Sequence, residues 1–322
     1  MALSTELILT LQQLDGIGNK TIFKLANQVS ISICDLEQLC DFWKSLKGKK
    51  VEAISKEDLE EAYHTAQRII ACCKQDGVGI MSYYEDCFPK ELRVCVNETG
   101  KLDPPILLYY KGNIKVFERP GIAVIGTREP TANGVQAGKY FSSEFAKNGY
   151  NIVSGLALGC DTAGHQGALE AGGATTAFLA NGLDWGSIYP KENLELAKNI
   201  VEKGGLLLSE YPVGQSCGRY GLVARDRLQA GLSYATVVIQ TGEKGGTMHA
   251  VNATINSKKL LFAVEYKNGG DSTHEKVQGN VKLIREGKAH PLRSASIGEA
   301  IQMCEKSYKA GSKKIQQTSL FD

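Results

Sequence analysis

Two groups of residues in the sequence have the types and spacing to hold a phosphate. Each combines glycine with a hydroxyl and a cation in the loop after an apolar segment: Gly126, Thr127 and Arg128 in the first, and Lys244, Gly245, Gly246 and Thr247 in the second. Glycine-rich turns that open a helix direct backbone N–H groups toward an anion, and a guanidinium adds a charged fork of donors. The pattern predicts anion binding where strands end.

The segment that follows residues 151–154 contains further candidates. Gly155 and Gly159 permit another group to approach the backbone closely, and Asp161 stands where a helix N-cap is expected. Asp161 therefore has two interpretations, a plain N-cap or a direct ligand contact. His165, four residues later, shares its helical face and either supports a loop or faces the same ligand.

An arginine-bearing segment precedes the fifth predicted strand. Arg225 and Arg227 flank Asp226, which partly neutralises this local cationic site. Nearby, Arg219 is a further cation and Tyr220 offers a ring on which a nucleobase can stack. The glycines and arginines before residue 233 favour a loop.

Several kinds of chemistry find no support in the sequence. The residues after Gly126 do not fit the glycine pattern of dinucleotide-binding proteins, and the P-loop pattern does not occur. We recognise no nucleophile with its base and no carboxylate pair, so no catalytic residue is predicted. The five histidines and nine cysteines are scattered, so we expect neither a metal site nor a cofactor.

Composition indicates a soluble protein of a reducing cytoplasm. The chain has 322 residues, 43% of them hydrophobic, with a net charge of +2. No apolar run approaches the ~20 residues that cross a bilayer, so no membrane association is expected. The small net charge means that any site for a polyanion must be local.

Six apolar segments alternate with helical patterns beyond residue 120. The predicted strands are residues 122–125, 151–154, 175–179, 206–209, 235–240 and 260–264, and the predicted helices include residues 134–147, 162–171, 192–203 and 248–256. This alternation predicts an α/β fold with a doubly wound, mainly parallel, Rossmann-like sheet and right-handed crossovers. A last helix is predicted near residues 298–308.

We divide the chain into four parts. Residues 1–75 form a small N-terminal helical domain, residues 76–120 a connecting extension, residues 121–309 the Rossmann-like domain and residues 310–322 a flexible tail. Within the first part, a turn containing Gly16 and Gly18 joins two short helices and resembles a helix-hairpin-helix motif. It either binds a nucleic-acid phosphate or is only a connector. Asp35 and Ser55 are predicted N-caps.

The ordered motifs between about residues 80 and 265 resemble those of the DprA/Smf DNA-processing proteins. They are Pro89-Lys-Glu-Leu92, Pro104-Pro-Ile-Leu107, Ile125-Gly-Thr-Arg128, Val153-Ser-Gly-Leu-Ala-Leu-Gly-Cys-Asp161, His165-Gln-Gly-Ala-Leu169, Gly182-Leu-Asp184, Tyr189-Pro190, Leu207-Leu-Ser-Glu210 and Arg225-Asp-Arg-Leu-Gln-Ala-Gly-Leu-Ser233. The resemblance implies single-stranded DNA binding at the strand ends, self-association as a homodimer or larger assembly, and delivery of the strand to a RecA-type recombinase. Arg128, Arg225 and Arg227 match its DNA-contacting positions.

The sequence departs from that family in two loops. Asp226 replaces a usual asparagine, and Leu222 and Ala224 stand where an aromatic and a basic residue are usual. The segment Gly245-Gly-Thr-Met-His-Ala250 is closer to related proteins that bind nucleotides and hydrolyse phosphoribosides. A small-nucleotide binder or hydrolase is therefore the alternative function.

The final residues resemble the bacterial sliding-clamp-binding peptide. Gln317 supplies a polar group that fixes the register, and Leu320 and Phe321 supply adjacent apolar anchors. The clamp is thus a possible partner. A chance match, or docking of Leu320 and Phe321 on their own domain, is the alternative.

Overall fold

The computed structural model describes residues 3–29, 32–218, 221–266 and 270–318. The first helices are α1 (Thr5–Gln12), α2 (Asn19–Ala26), α3 (Leu36–Ser45), α4 (Lys49–Glu52), α5 (Lys56–Gln75), α6 (Lys90–Arg93) and α7 (Ala132–Lys147). The later ones are α8 (Cys160–Glu170), α9 (Leu194–Glu202), α10 (Gly221–Leu232), α11 (Thr247–Asn256), α12 (Gly270–Thr273), α13 (Gln278–Arg285) and α14 (Ile297–Thr318). The strands are β1 (Gly79–Ser82), β2 (Leu107–Gly112), β3 (Gly121–Ile125), β4 (Asn151–Ser154), β5 (Thr175–Leu179), β6 (Leu206–Ser209), β7 (Ser233–Val238), β8 (Leu260–Val264) and β9 (His290–Leu292).

The strands form one sheet in the order β1-β2-β6-β5-β4-β3-β7-β8-β9. From β6 to β9 every neighbouring pair is parallel. Every residue of β3 to β7 is buried, as expected for strands covered by helices on both faces. The predicted α/β fold with a mainly parallel, doubly wound sheet is confirmed.

The ends of this sheet differ from the sequence expectation. β1 and β2 come from the predicted connecting extension, and they join the sheet because β2 pairs antiparallel with β6. β9 adds a further parallel strand beside β8. The predicted strand 235–240 begins two residues earlier, at Ser233.

The arginine-bearing segment is a helix rather than the loop that the sequence favoured. Gly221 and Gly231 lie near the two ends of α10, and the leucine, alanine, arginine and glutamine residues between them are good helix formers. Leu228 and Leu232 pack on Val153 and Phe178 of the sheet. This packing outweighs the cost of glycines near the helix ends.

The N-terminal helices α1 to α5 share a hydrophobic cluster, which also includes Ile106 and Leu107 at the start of β2. Asp35 accepts a hydrogen bond from the Gln38 N–H at 2.9 Å, and Ser55 forms a capping box with Asp58, so both predicted N-caps are confirmed. The Gly16 turn joins α1 to α2 and borders a cavity of about 660 Å³, which we name the N-terminal turn cavity.

α14 continues to Thr318, so residues 310–318 are helical where the sequence analysis predicted a flexible tail. A single glycine within a helix costs only about 1 kcal/mol relative to alanine, and no proline follows it. Leu320 and Phe321 lie outside the described residues, whereas Gln317 belongs to α14. Within the described ranges no helix is long and apolar enough to cross a membrane.

Candidate nucleic-acid interface

A cavity of about 500 Å³ lies at the carboxyl ends of β3 and β7. The chain turns in opposite directions after these neighbouring strands, since β4 lies beside β3 and β8 lies beside β7. Ligands of open α/β sheets bind where the strand order reverses in this way. We name this space the carboxyl-edge cavity. Its lining includes eight predicted site residues: Gly126, Thr127, Arg128, Arg225, Lys244, Gly245, Gly246 and Thr247.

The first loop is held between β7 and α8. The Thr127 N–H donates to the Gln240 carbonyl at 2.7 Å, and the Thr127 carbonyl accepts from the Cys160 N–H at 3.1 Å. A Cβ on Gly159 would lie 2.5 Å from the Arg128 carbonyl oxygen, so the loop requires glycine there. The Arg128 side chain is exposed, and no carboxylate of the described chain forms an ion pair with it.

The second loop opens α11, whose N-cap is Gly246 and lacks a side-chain hydrogen bond. Asn280 fixes the start of this loop: its Oδ1 accepts from the Thr241 N–H at 2.9 Å, and its Nδ2 donates to the Ile239 carbonyl at 2.8 Å. Lys244 is exposed, and the described residues offer it no ion-pair partner. Sequence reasoning missed Asn280, because an isolated asparagine in a helix carries no signal of a distant loop.

Arg225 lies across the ends of β4 and β5. Its Nη1 donates to the Phe178 carbonyl at 2.8 Å, and its Nη2 lies 3.8 Å from Asp161 Oδ2. A Cβ on Gly155 would lie 2.4 Å from this guanidinium. The close approach that Gly155 permits is therefore that of Arg225, not directly that of a ligand.

Asp161 is not the N-cap that one interpretation of the sequence suggested, and it lines the carboxyl-edge cavity. The N-cap of α8 is Gly159, whereas the Asp161 carboxylate accepts the N–H groups of Gly155 at 3.1 Å and Ala157 at 3.2 Å. It thereby closes the loop after β4. Burial raises the pKa of this carboxyl, and the neighbouring Arg225 opposes that effect.

Asp226 also lines the carboxyl-edge cavity. Its Oδ1 lies 3.6 Å from Arg225 Nε and accepts from Gln229 Nε2 at 3.1 Å. Burial raises its pKa to about 7, with Arg225 lowering and Asp161 raising it. Asp161 and Asp226 are thus two carboxylates around one guanidinium. No local pattern in the sequence indicated this arrangement, because only the fold brings the two residues together.

His165 is fully buried and does not line the cavity. Its Nδ1 lies 2.7 Å from the Thr175 hydroxyl. Burial lowers its pKa to about 3, so the ring is neutral at physiological pH. This position fits a supporting role for His165 within the fold and not a contact with a ligand in the cavity.

Arg227 does not join the other site residues. Both of its Nη atoms lie 2.8 Å from the Glu210 carboxylate, and its Nε lies 2.8 Å from an Asp103 carboxylate oxygen. Residues two apart on a helix face nearly opposite directions, so α10 can present only one of its two arginines to the cavity. The expected shared site of Arg225 and Arg227 is therefore wrong. Arg219 and Tyr220 lie outside the described residues.

Known proteins resemble this chain in sequence over much of its length. A family profile described as DNA recombination-mediator protein A matches residues 79–302. The DNA processing protein DprA of Bacillus subtilis is 29% identical over 280 residues, which cover 80% of this chain and 90% of that protein. Protein Smf of Synechocystis is 42% identical over 188 residues, 57% of this chain and 46% of that protein.

Solved structures of two DprA proteins have the same fold. The X-ray structure of DprA from Streptococcus pneumoniae aligns with a TM-score of 0.72 at 27% identity, covering 93% of this chain and 98% of that one. DprA from Helicobacter pylori, described by its single-stranded DNA binding mode, aligns with a TM-score of 0.59 at 29% identity, covering 71% and 96%. Since the family profile spans most of the sequence, including every strand of the sheet, the chain belongs to the DNA recombination-mediator protein A family, that of the DprA and Smf proteins.

Proposed function

We propose that this protein binds single-stranded DNA in the carboxyl-edge cavity and delivers it to a RecA-type recombinase in the cytoplasm, without catalysing a reaction itself. The observation that supports DNA binding is that two cations of the cavity are available to a ligand. Arg128 and Lys244 are exposed and lack ion-pair partners in the described chain, and they flank the N-terminus of α11. Both features attract phosphate.

Single strands suit this site better than duplexes. The cavity encloses about 500 Å³ at the end of the sheet, and backbone amides with a few cations can follow one flexible phosphate chain. Reading a duplex requires a helix or a ribbon that enters a groove. The single-stranded DNA binding of the Helicobacter pylori relative supports the same choice.

The first experiment compares binding of oligo-dT and a matched duplex at several salt concentrations. We expect the single strand to bind more tightly, and Arg128→Ala to weaken it and reduce the magnitude of the log–log salt slope by about 0.7. Arg119→Ala, which removes an arginine outside the cavity, is the control. Unchanged affinity and slope for Arg128→Ala would contradict the assignment of the cavity.

Membership of a recombination-mediator family supports delivery to a recombinase, and the resemblance to the DprA/Smf motifs supports self-association. Light scattering tests the homodimer or larger assembly, and RecA loading onto single strands covered by a single-strand-binding protein tests delivery. Stimulated loading by the wild type but not by Arg128→Ala would link both activities to the cavity. If loading does not depend on Arg128, delivery to the recombinase does not require the carboxyl-edge cavity.

A second candidate, hydrolysis of a small nucleotide, gains one observation from the structure. Asp226 has a pKa of about 7, which suits a general acid or base, and it lines the cavity together with Thr247. Asp161, the other carboxylate, is occupied by the backbone of its own loop. We therefore expect no turnover of nucleoside monophosphates, NAD or cyclic nucleotides. Product formation that Asp226→Asn or Thr247→Ala abolishes would favour the hydrolase.

We also propose the bacterial sliding clamp as a partner of Gln317, Leu320 and Phe321. So short a peptide buries little surface, so an affinity near 1 μM, about −8 kcal/mol, is expected. A clamp pull-down tests it with the wild type and with Leu320 and Phe321 both changed to alanine. Equal retention of the two proteins would remove the clamp from the partners.

A further inference from the structure

A second, smaller space of about 50 Å³ adjoins the carboxyl-edge cavity. Arg128, Ala157, Leu222 and Arg225 line both spaces, so the two are continuous across these residues. The remaining walls of the smaller space are largely apolar and include Leu158 and Tyr189. We name it the side cleft.

Apolar side chains are unusually exposed around these two spaces. Leu158 is 39% and Tyr189 47% exposed at the side cleft, and Val223 is 40% exposed at the carboxyl-edge cavity. A contiguous exposed apolar surface with polar residues at its border is typical of a binding site. Here the border is formed by the two arginines.

The backbone that carries Tyr189 is fixed against the loop after β4. The buried Asn193 donates from Nδ2 to the Leu156 carbonyl and to the Thr162 hydroxyl, both at 2.9 Å. Its N–H donates to the Pro190 carbonyl at 3.1 Å, and Ile188 beside Tyr189 is fully buried. The tyrosine ring is therefore exposed from an anchored segment, which lowers the entropy cost of stacking on it.

From this arrangement we infer that the side cleft binds a nucleobase of the single strand, stacked on Tyr189, while the adjoining phosphate lies between Arg128 and Lys244. The inference rests on the proposed function. In a nucleic acid, one sugar separates each phosphate from a flat base, so a base can reach the cleft beside a bound phosphate. Every base has a flat face that can stack on an aromatic ring, so the cleft accepts any base. Leu158 and Leu222 contact the edge of the base.

The test separates the base from the backbone. Binding is measured for oligo-dT and for an oligomer of equal length whose thymines are replaced by abasic tetrahydrofuran units. The proteins are the wild type, Tyr189→Ala, Tyr189→Phe, and Tyr140→Ala, which removes a tyrosine of α7 that is 41% exposed away from both spaces. Tyr189→Leu provides a bulkier replacement should the alanine variant fold poorly.

We expect the wild type to bind oligo-dT about tenfold more tightly than the abasic oligomer. Tyr189→Ala and Tyr189→Leu should lose this preference while their affinity for the abasic oligomer is unchanged, and Tyr189→Phe and Tyr140→Ala should match the wild type. If the wild type binds both oligomers equally, or if the Tyr189 variants keep the preference, the base site is refuted while DNA binding stands. Failure of the wild type to bind either oligomer would instead overturn the proposed function.

Discussion

The carboxyl-edge cavity and the N-terminal turn cavity each surround a glycine turn at the start of a helix, yet different charged residues line them. Gly246 caps α11 and Gly18 caps α2, in both cases without a side-chain hydrogen bond. Arg128 and Lys244 flank the first helix start. The second cavity is instead lined by three carboxylates and one lysine: Asp15, Asp58, Glu61 and Lys49.

The difference shows that a glycine turn does not make a phosphate site without suitable neighbours. In the carboxyl-edge cavity the carboxylates are matched by cations within the protein: Arg225 lies between Asp161 and Asp226, and Glu129 pairs with Lys276. Arg128 and Lys244 remain for a ligand. We therefore expect the Gly16 turn to be a connector and the carboxyl-edge cavity to hold the DNA.

Charge reversal should give the largest effect. Arg128→Glu with Lys244→Glu replaces two attractions by repulsions, and since a charged hydrogen bond contributes about 1.5–3 kcal/mol, oligo-dT affinity should fall at least about 100-fold. The matched control is Lys20→Glu with Lys24→Glu, two exposed lysines of α2 beside the Gly16 turn. Fluorescence anisotropy measures both pairs. An equal loss in the α2 variant would show that both turns bind DNA.

Replacing one glycine beside each cavity by alanine compares the cost of a steric clash with the cost of backbone strain. At Gly155 the new Cβ meets the buried Arg225 guanidinium, so we expect a loss of roughly 2–3 kcal/mol in the free energy of unfolding and weaker DNA binding. At Gly16 no atom lies within 4 Å, but φ is +76°, so the loss should be only about 1 kcal/mol, with DNA affinity unchanged. Urea unfolding and anisotropy measure both. Unaltered DNA affinity in Gly155→Ala would mean that Arg225 is not needed for binding.

The pH dependence of DNA binding should distinguish the acids of the two cavities. Asp226 faces Asp161, Arg225, Arg128 and His249, and its pKa is about 7. As the pH falls through 7 it gains a proton and stops repelling phosphate, so affinity should rise about fivefold between pH 8 and pH 6.

Asp226→Asn should bind at pH 8 as the wild type binds at pH 6, with a flatter pH profile. Glu61→Gln in the N-terminal turn cavity should leave the profile unchanged. A profile identical in Asp226→Asn and the wild type would assign the pH dependence to another group.

The smallest effect should come from adding cations to the N-terminal turn cavity. Asp15→Lys with Glu61→Lys removes the repulsion there, so oligo-dT affinity should rise two- to threefold and the salt slope should steepen by about 0.7 for each additional phosphate that is bound. The same pair changed to asparagine and glutamine is the control, which should bind little more tightly than the wild type. No change in the lysine variant would show that the turn geometry, not its charge, prevents binding.

Sequence periodicity and loop chemistry determined most of the sheet. The strands at residues 151–154, 175–179, 206–209 and 260–264 were predicted with their observed bounds, because buried parallel strands are short apolar runs that end at glycines and polar residues. The same reasoning predicted the loop residues now seen in the carboxyl-edge cavity, since strand ends meet at one edge of such a sheet.

Tertiary structure alone decided how each charged side chain is used. Arg225 and Arg227 look equivalent in the sequence, but one reaches the cavity and the other binds Glu210, because α10 turns them to different sides. Asp161 and Asp226 are 65 positions apart (226 − 161) and meet only around Arg225. Local patterns specify helices and strands, whereas the pairing of charges depends on which elements the fold brings together, and no local pattern contains that information.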